Sequence, residues 1–363
     1  VRKVLKVKNI LMTFIVMAAV ILWMAGCGAG ASVKDGVTSS DSHSGGSSRL
    51  EGMQLNILGS YHEDMVKRMA EMFENETGCS VSYLRMPTGE AVARLIAEKE
   101  DPVVSVYIGG TIDAHENLKH QGVLVPYESP VEREISGEYV DPDGVWKAQY
   151  IETLSIGVNT ERWKAEFPGR VMPSTLEELL DPAFRGDIVT SDPYTSGTGY
   201  TFVSSVLQFM GEEEGWAYIE KFNEQVGQYT TSGYTPAEKA GFGEYLICVN
   251  FLSDQLIVST SGYPLASTVY EGAGWSMCPV SIVTGSEDNA AARKFVDFCI
   301  GKKALDALVE LGNCVAVRDD CIAPVGGSKL SDLRFNRDYS PVEAAAFKTE
   351  ILERFREVVL DYH

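Results

Sequence analysis

Between Ile10 and Met24 every residue but Thr13 is apolar, and the run follows a start that carries Arg2, Lys3, Lys6 and Lys8. An apolar run of about 15 residues behind a basic start predicts a secretory leader, whereas a membrane span needs about 20. Patterned sequence resumes at Leu50. Gln54 to Leu58 reads as a short strand. Glu63 to Glu76 places Met65, Met69, Met72 and Phe73 on one helical stripe that Gly78 stops. Val81 to Leu84 reads as a second strand, and Ala91 to Glu98 as a helix with Val92, Leu95 and Ile96 on one side. Val103 to Ile108 is a buried strand running into Gly109-Gly110-Thr111, and the helix Asp113 to His120 follows, closed by Gly122. Further on, Tyr200 to Met210 carries Phe202, Val203, Val206, Leu207 and Met210 on one helical face, and Tyr245 to Phe251 reads as a strand. Strands alternating with helices predict an α/β fold with a mostly parallel sheet. Ligands of such sheets bind beyond the carboxyl ends of the strands. That rule singles out the loops Gly59-Ser60-Tyr61-His62 and Gly109-Gly110-Thr111.

Residues 27–49 are rich in Gly, Ser and Asp and include Ser44-Gly45-Gly46-Ser47-Ser48. Such a stretch cannot bury a core and predicts a flexible tether. The remaining ~310 residues exceed one ordinary core, so two lobes are expected. The whole chain has a net charge of −20. Without the four basic residues of the leader, 27 Lys and Arg face 51 Asp and Glu, a net charge of −24. An acidic balance of this size argues against a nucleic-acid partner, which needs a basic face. Six cysteines follow Cys27, with no CxxC pair and no histidine partner at metal-binding spacing, so no metal and no cofactor are expected. Cys248 and Cys299 sit in apolar runs and read as buried thiols; Cys314 and Cys321, close in sequence, are either bridged or free. Motifs of phosphate loops, zinc proteases, serine hydrolases and dinucleotide binders are absent, and His115 and His120 are five apart, off the spacing that shares a helical face. A binding protein is therefore expected rather than an enzyme, with a secreted lipoprotein hydrolase as the alternative of another class.

Ser196-Gly197-Thr198-Gly199 opens the Tyr200 helix. Small residues before a helix leave free N–H groups and the positive end of its dipole, which suits an anion; an ordinary helix cap is the simpler alternative. The hydroxyl-rich stretch Thr230-Thr231-Ser232-Gly233-Tyr234-Thr235-Pro236, before a helix from Ala237, is either a second donor set or a solvent-exposed turn.

Met24-Ala25-Gly26-Cys27 resembles a bacterial lipobox, which implies a leader over 1–26 and a lipidated Cys27; an ordinary leader with an incidental cysteine is the alternative. Tyr107-Ile108-Gly109-Gly110-Thr111-Ile112-Asp113-Ala114, followed by Gly122-Val123-Leu124-Val125-Pro126-Tyr127, resembles the ferric-iron, phosphonate and hexose-phosphate branch of the type II periplasmic binding proteins. Ile156-Gly157-Val158-Asn159-Thr160, Leu180-Asp181-Pro182-Ala183-Phe184-Arg185-Gly186, Thr195-Ser196-Gly197-Thr198-Gly199-Tyr200 and Lys294-Phe295-Val296-Asp297-Phe298 agree with it in order. The resemblance implies two α/β lobes joined by crossing strands, over 50–156 plus 279–363 and over 157–278, with the ligand clamped between them. It implies the monomeric capture subunit of an ABC importer, held outside the cell membrane by its lipid, taking a small anionic solute, a phosphonate or organophosphate of the aminoethylphosphonate or sugar-phosphate type, and docking on permease subunits. The implied site is Ser60, Tyr61, His62, Gly110 and Thr111 from one lobe. From the other come Thr195, Ser196, Gly197, Thr198, Tyr200, Ser232, Ser253, Asp254 and Glu271. Ser253-Asp254 stands where hexose-phosphate binders carry a His-Asp pair, so the sugar specificity stays open; Asp254 and Glu271 read the ligand or are surface carboxylates. Ferric iron is the alternative ligand, but none of the 16 tyrosines forms an adjacent pair, and Tyr263 and Tyr270 are seven apart. Lys348 is expected to lie far from the site.

Overall fold

The computed structural model describes residues 50–325, 327, 329–332 and 335–359. The leader, Cys27 and the tether lie outside the described residues. Strand β1 (Gln54–Gly59) buries Leu55, Ile57 and Leu58. Helix α1 (Glu63–Thr77) buries Met65, Val66, Met69 and Phe73 along one stripe, and Gly78 ends it in the left-handed region at φ 73°. β2 (Ser80–Arg85), α2 (Thr88–Ala97), β3 (Val106–Ile108), α3 (Ile112–His120) and β4 (Leu124–Val125) continue the alternation. β3 starts later than the expected Val103, which is exposed and has its carbonyl taken by the Asn56 side chain at 2.9 Å.

The long strand β5 (Trp146–Asn159) carries the chain into a second lobe. That lobe comprises α4 (Thr160–Glu166), β6 (Ile188–Ser191), α5 (Gly197–Met210), α6 (Glu212–Asn223), β7 (Val226–Thr230), α7 (Thr235–Gly241), β8 (Ile247–Phe251), α8 (Leu252–Thr260) and β9 (Leu265–Thr268). The return strand β10 (Trp275–Val283) leads to α9 (Ala290–Cys299), α10 (Lys302–Gly312), β11 (Val315–Ala316) and the closing helices α11 (Pro341–Ala346) and α12 (Lys348–Val358).

The strand order is β2-β1-β3-β10-β5-β8-β6-β7. β1 pairs in parallel with β2 and β3, and β6 in parallel with β7 and β8, but β10 lies antiparallel to β3 and β5, and β5 antiparallel to β8. The sheet is thus mixed and not mostly parallel. A chain that leaves one lobe and comes back must run its two crossing strands in opposite directions. β5 exchanges partners between Thr153, opposite Trp275 on β10, and Leu154, opposite Phe251 on β8. The crossings therefore fall a few residues before the expected 156/157 and 278/279.

Each lobe has its own core. Phe73 packs edge-on against Phe295 at 5.0 Å in the first, and Phe202 against Phe222 at 4.9 Å in the second. Each such ring contributes about 1.5–3 kcal/mol when fully buried. The tail departs from the expected assignment of everything after 279 to the first lobe. Phe355 and Val359 are buried in the second core, because α12 turns its apolar positions towards α5 and α6. Lys348 reaches back to the first lobe and pairs with the buried Asp113 carboxylate on α3 at 2.5 Å. The six cysteines from Cys79 to Cys321 are all buried and free, so Cys314 and Cys321 are not bridged; the Cys314 thiol donates to the Leu308 carbonyl instead.

Candidate functional site

The loop after β3 needs glycine twice. Gly109 and Gly110 both adopt positive φ, 71° and 72°, and a Cβ on Gly109 would stand 2.1 Å from the Tyr61 ring. His115, one turn into α3, fixes this loop from beneath: Nε2 donates to the Gly109 carbonyl (2.9 Å) and Nδ1 accepts from the Ser281 hydroxyl (2.8 Å). Burial pulls its pKa down to about 4, so the ring is neutral. The Thr111 hydroxyl, next in the loop, is buried and finds no hydrogen-bond partner in the protein. In the loop after β1, the Ser60 hydroxyl accepts from Tyr107 (3.1 Å), and the Tyr61 phenol donates to the Gln149 side chain (2.5 Å).

Opposite them stands the amino end of α5. Ser196 holds the N-cap position with extended backbone, yet its hydroxyl makes no cap bond. An ordinary cap would spend that oxygen on the helix's own amides. Here it stays free, beside first-turn N–H groups that have no acceptor within the helix. Gly197 touches the first lobe: a Cβ there would lie 1.9 Å from the Thr111 hydroxyl oxygen. Ser60, Thr111, Ser196 and Thr198 thus line one cavity of about 60 Å³ between the lobes, several times the ~10–15 Å³ that one water needs.

A two-lobed clamp with a polar cavity between its lobes fits a carrier of small solutes, and comparison with known proteins decides the lineage. The family model of bacterial extracellular solute-binding proteins matches residues 101–324. This chain is a bacterial extracellular solute-binding protein. An uncharacterized protein of Haemophilus influenzae is 28% identical over 306 residues, 82% of this chain and 87% of its own length. A probable ABC transporter periplasmic-binding protein of Sinorhizobium fredii, y4fP, is 23% identical over 242 residues, 61% of this chain and 62% of its own. Among solved structures, the periplasmic binding protein AfuA from Actinobacillus pleuropneumoniae, with exogenous fructose-6-phosphate bound, superposes with a TM-score of 0.81 at 27% identity. The match covers 86% of this chain and all of AfuA. The type II two-lobed fold expected from the sequence is therefore the fold of this solute-binding protein.

Of the expected site residues, the structure gathers Ser60, Tyr61, His62, Gly110, Thr111, Ser196, Thr198 and Asp254 around the cavity. Gly197 supports it by close approach, and the Thr195 carbonyl accepts from the Gly89 N–H of the first lobe at 2.9 Å. Ser232 stands behind the lining and accepts from Arg85 at 3.1 Å; Ser253 likewise donates to Glu152 at 2.6 Å. Two residues are not brought there. Tyr200 is fully buried on the far side of α5, where its phenol donates to the Ala344 carbonyl. Glu271 is exposed on a separate groove with Phe209 and Phe335, because the turn after β9 points away from the cleft. The tyrosines weighed for iron do not meet either: Tyr263 is exposed against Phe242 and Tyr270 is buried, and neither lines the cavity.

Arg85 and Glu152 also line the cavity and were not among the expected residues. Arg85 is in fact the last residue of β2; its Nε donates to the Tyr61 carbonyl and its Nη2 to Ser232, both at 3.1 Å, so it bridges the lobes. Ending that strand at Leu84 hid a residue that the carboxyl-end rule itself selects. Burial pulls the guanidinium below its ordinary pKa, but an arginine remains charged. Glu152 sits inside β5 with no local motif to mark it. Across the cleft, the His62 ring meets the edge of Tyr234 at 4.7 Å.

Proposed function

We propose that this protein is the capture subunit of an ABC importer. In this reading it holds the phosphate or phosphonate group of a small solute at the amino end of α5. One observation carries the proposal: the Ser196 hydroxyl, free of capping duty, and the buried unpartnered Thr111 hydroxyl face one cavity from opposite lobes. Thr198 adds a third hydroxyl and Arg85 a positive charge. A donor set of this kind suits a tetrahedral oxyanion, and the cavity's place between lobes suits capture by closure. The fructose-6-phosphate in AfuA, a 27% identical relative in structure, supports the same ligand class.

The importer setting follows from the family and from the kinship to y4fP. In it, the protein works as a monomer outside the cytoplasmic membrane and delivers solute to permease subunits. Cys27 carries the lipid and residues 27–49 form the tether. A three-chain lipid anchor at Cys27 exceeds the two-chain threshold for stable membrane attachment. Membrane fractionation checks this: Cys27→Ser is released or left unprocessed, and a fully processed, membrane-bound variant refutes the anchor.

For the ligand, a thermal-shift panel of phosphate, 2-aminoethylphosphonate, hexose phosphates and ferric citrate is the first measurement. A ligand present at 100 times its Kd adds about 2.7 kcal/mol of stability. Thr198→Ala removes one donor to a charged group, a loss of about 1.5–3 kcal/mol, and weakens the responding ligand roughly ten- to a hundredfold in calorimetric titration. Unchanged affinity in both Thr198→Ala and Ser196→Ala reduces the α5 terminus to a structural turn.

A further inference from the structure

The cavity's other end is acidic. Glu152 lies on β5 where the lobes join, and Asp254 lies in the first turn of α8; both line the cavity. Glu152 accepts from the Ser253 hydroxyl at 2.6 Å and from the Cys278 thiol at 3.2 Å, and Asp254 accepts weakly from the Asn250 amide at 3.4 Å. Among the described residues no lysine or arginine forms an ion pair with either; Arg85 acts on Asp254 only through space. Two largely buried carboxyl groups lining one cavity without a paired cation are costly to ionise together. The orphaned Thr111 hydroxyl, at least nine-tenths buried and lining the same cavity, independently marks that space as built for a ligand.

We propose that the ligand is a compact zwitterion, with an ammonium group held between Glu152 and Asp254 and its phosphonate or phosphate group at α5, and that capture exchanges a carboxyl proton for that ammonium. This deepens the anion reading above and rests on it. In the empty cleft the proton sits on the carboxyl pair. Burial raises the pKa of both groups, and Glu152 raises that of Asp254 further. When the ammonium arrives, the remaining carboxylic O–H gives its proton to solvent and the carboxylate so formed pairs with the cation.

The surroundings leave these carboxyls as the titrating pair. Tyr150 on β5, Cys278 on β10, Cys314 before β11 and Cys248 on β8 are all driven up by burial and stay neutral. From the α7 side come the Tyr234 phenol, also raised, and Glu238, whose charge adds to the negative field on Asp254. Tyr61 is raised as well, and Arg85 keeps its charge. His62 faces Glu238 from the first lobe, and variants of the carboxyl pair separate its contribution. The sign follows: a carboxyl with a raised pKa favours the empty fold at low pH and loses that contribution as pH rises, while the cation-bound form needs it ionised. Affinity for a cationic ligand therefore rises with pH.

The test compares 2-aminoethylphosphonate with ethylphosphonate, which lacks only the amino group, by calorimetry in buffers of different ionisation enthalpy. The expected result is that the amino compound binds wild type ten- to a hundredfold more tightly and releases about one more proton per ligand. In Glu152→Gln and Asp254→Asn the two compounds bind alike and the extra proton is lost. If either variant fails to fold, the wild-type pair and its proton count still decide. Equal binding of the two compounds, or a preference intact in both variants, overturns the zwitterion and leaves the anion site standing. Binding of neither compound overturns the zwitterion, and the anion site falls with it when inorganic phosphate and the hexose phosphates of the panel also fail to bind.

Discussion

Gly89→Ala is expected to weaken ligand binding by a hundredfold or more while leaving the unliganded protein at least as stable as wild type. Gly89 lies in the first turn of α2, where alanine is the better helix former by up to ~1 kcal/mol. The three atoms nearest to the added methyl all belong to the other lobe. The obstacle is in the other lobe: a Cβ at this position would stand 2.3 Å from the Tyr194 carbonyl oxygen and 2.9 Å from the Thr195 Cα. Both are backbone atoms of the segment leading into α5, so no rotamer change relieves the clash. The same approach carries the hydrogen bond from the Gly89 N–H to the Thr195 carbonyl. Only opening of the cleft makes room, and an open cleft separates Ser60, Thr111 and Arg85 from Ser196 and Thr198. A hundredfold loss corresponds to about 2.7 kcal/mol, near the top of the ~1–3 kcal/mol that a methyl forced into packed surroundings typically costs, as suits a contact with rigid backbone. Titration calorimetry and solution scattering read the two halves of the prediction. Wild-type affinity, or ligand-induced compaction of unchanged size, refutes it.

Lys348→Ala is expected to cost about 3 kcal/mol of stability, the low end for breaking a buried ion pair. Its ammonium is mostly buried, pairs with the nearly inaccessible Asp113 carboxylate and lies 4.9 Å above the Tyr200 ring. Removing it strands a carboxylate that α3's own amino end stabilises only in part. Adding Asp113→Asn to Lys348→Ala neutralises the stranded group and restores most of the loss. Urea unfolding at neutral pH measures both. A single variant within about 0.5 kcal/mol of wild type, the range of ordinary surface changes, shows that the pair is not sealed from water.

The elements that the sequence disclosed are those whose signal is local. The stripe of Met65, Met69 and Phe73 ended by Gly78, and the paired glycines after β3, are written in neighbouring residues, and each appears within a residue or two of its expected place. The hydroxyls of Ser60, Thr111, Ser196 and Thr198 were legible for the same reason, because a loop after a strand or before a helix is a local pattern. What stayed hidden depends on partners far along the chain. Glu152 becomes a cavity group only because β5 changes partners at Thr153 and Leu154, and that exchange is set by β8 and β10, over 90 residues downstream. The pairing of Lys348 with Asp113 stayed hidden because 235 positions separate the two. Tyr200 and Glu271 were misplaced because a family pattern fixes position along the chain but not which way a side chain turns.

The tail gives the hinge a second fastening. Phe355 and Val359 root α12 in one lobe while Lys348, a turn or two earlier, is moored to the other, and α11 lies against both α3 and α5. Any rotation that opens the cleft must stretch or slip this strap, so the spring constant of the clamp resides partly in the final helices and not in β5 and β10 alone. A label placed on α12 is therefore bolted to a moving part, and it changes how long the solute stays aboard even though it touches nothing in the cavity.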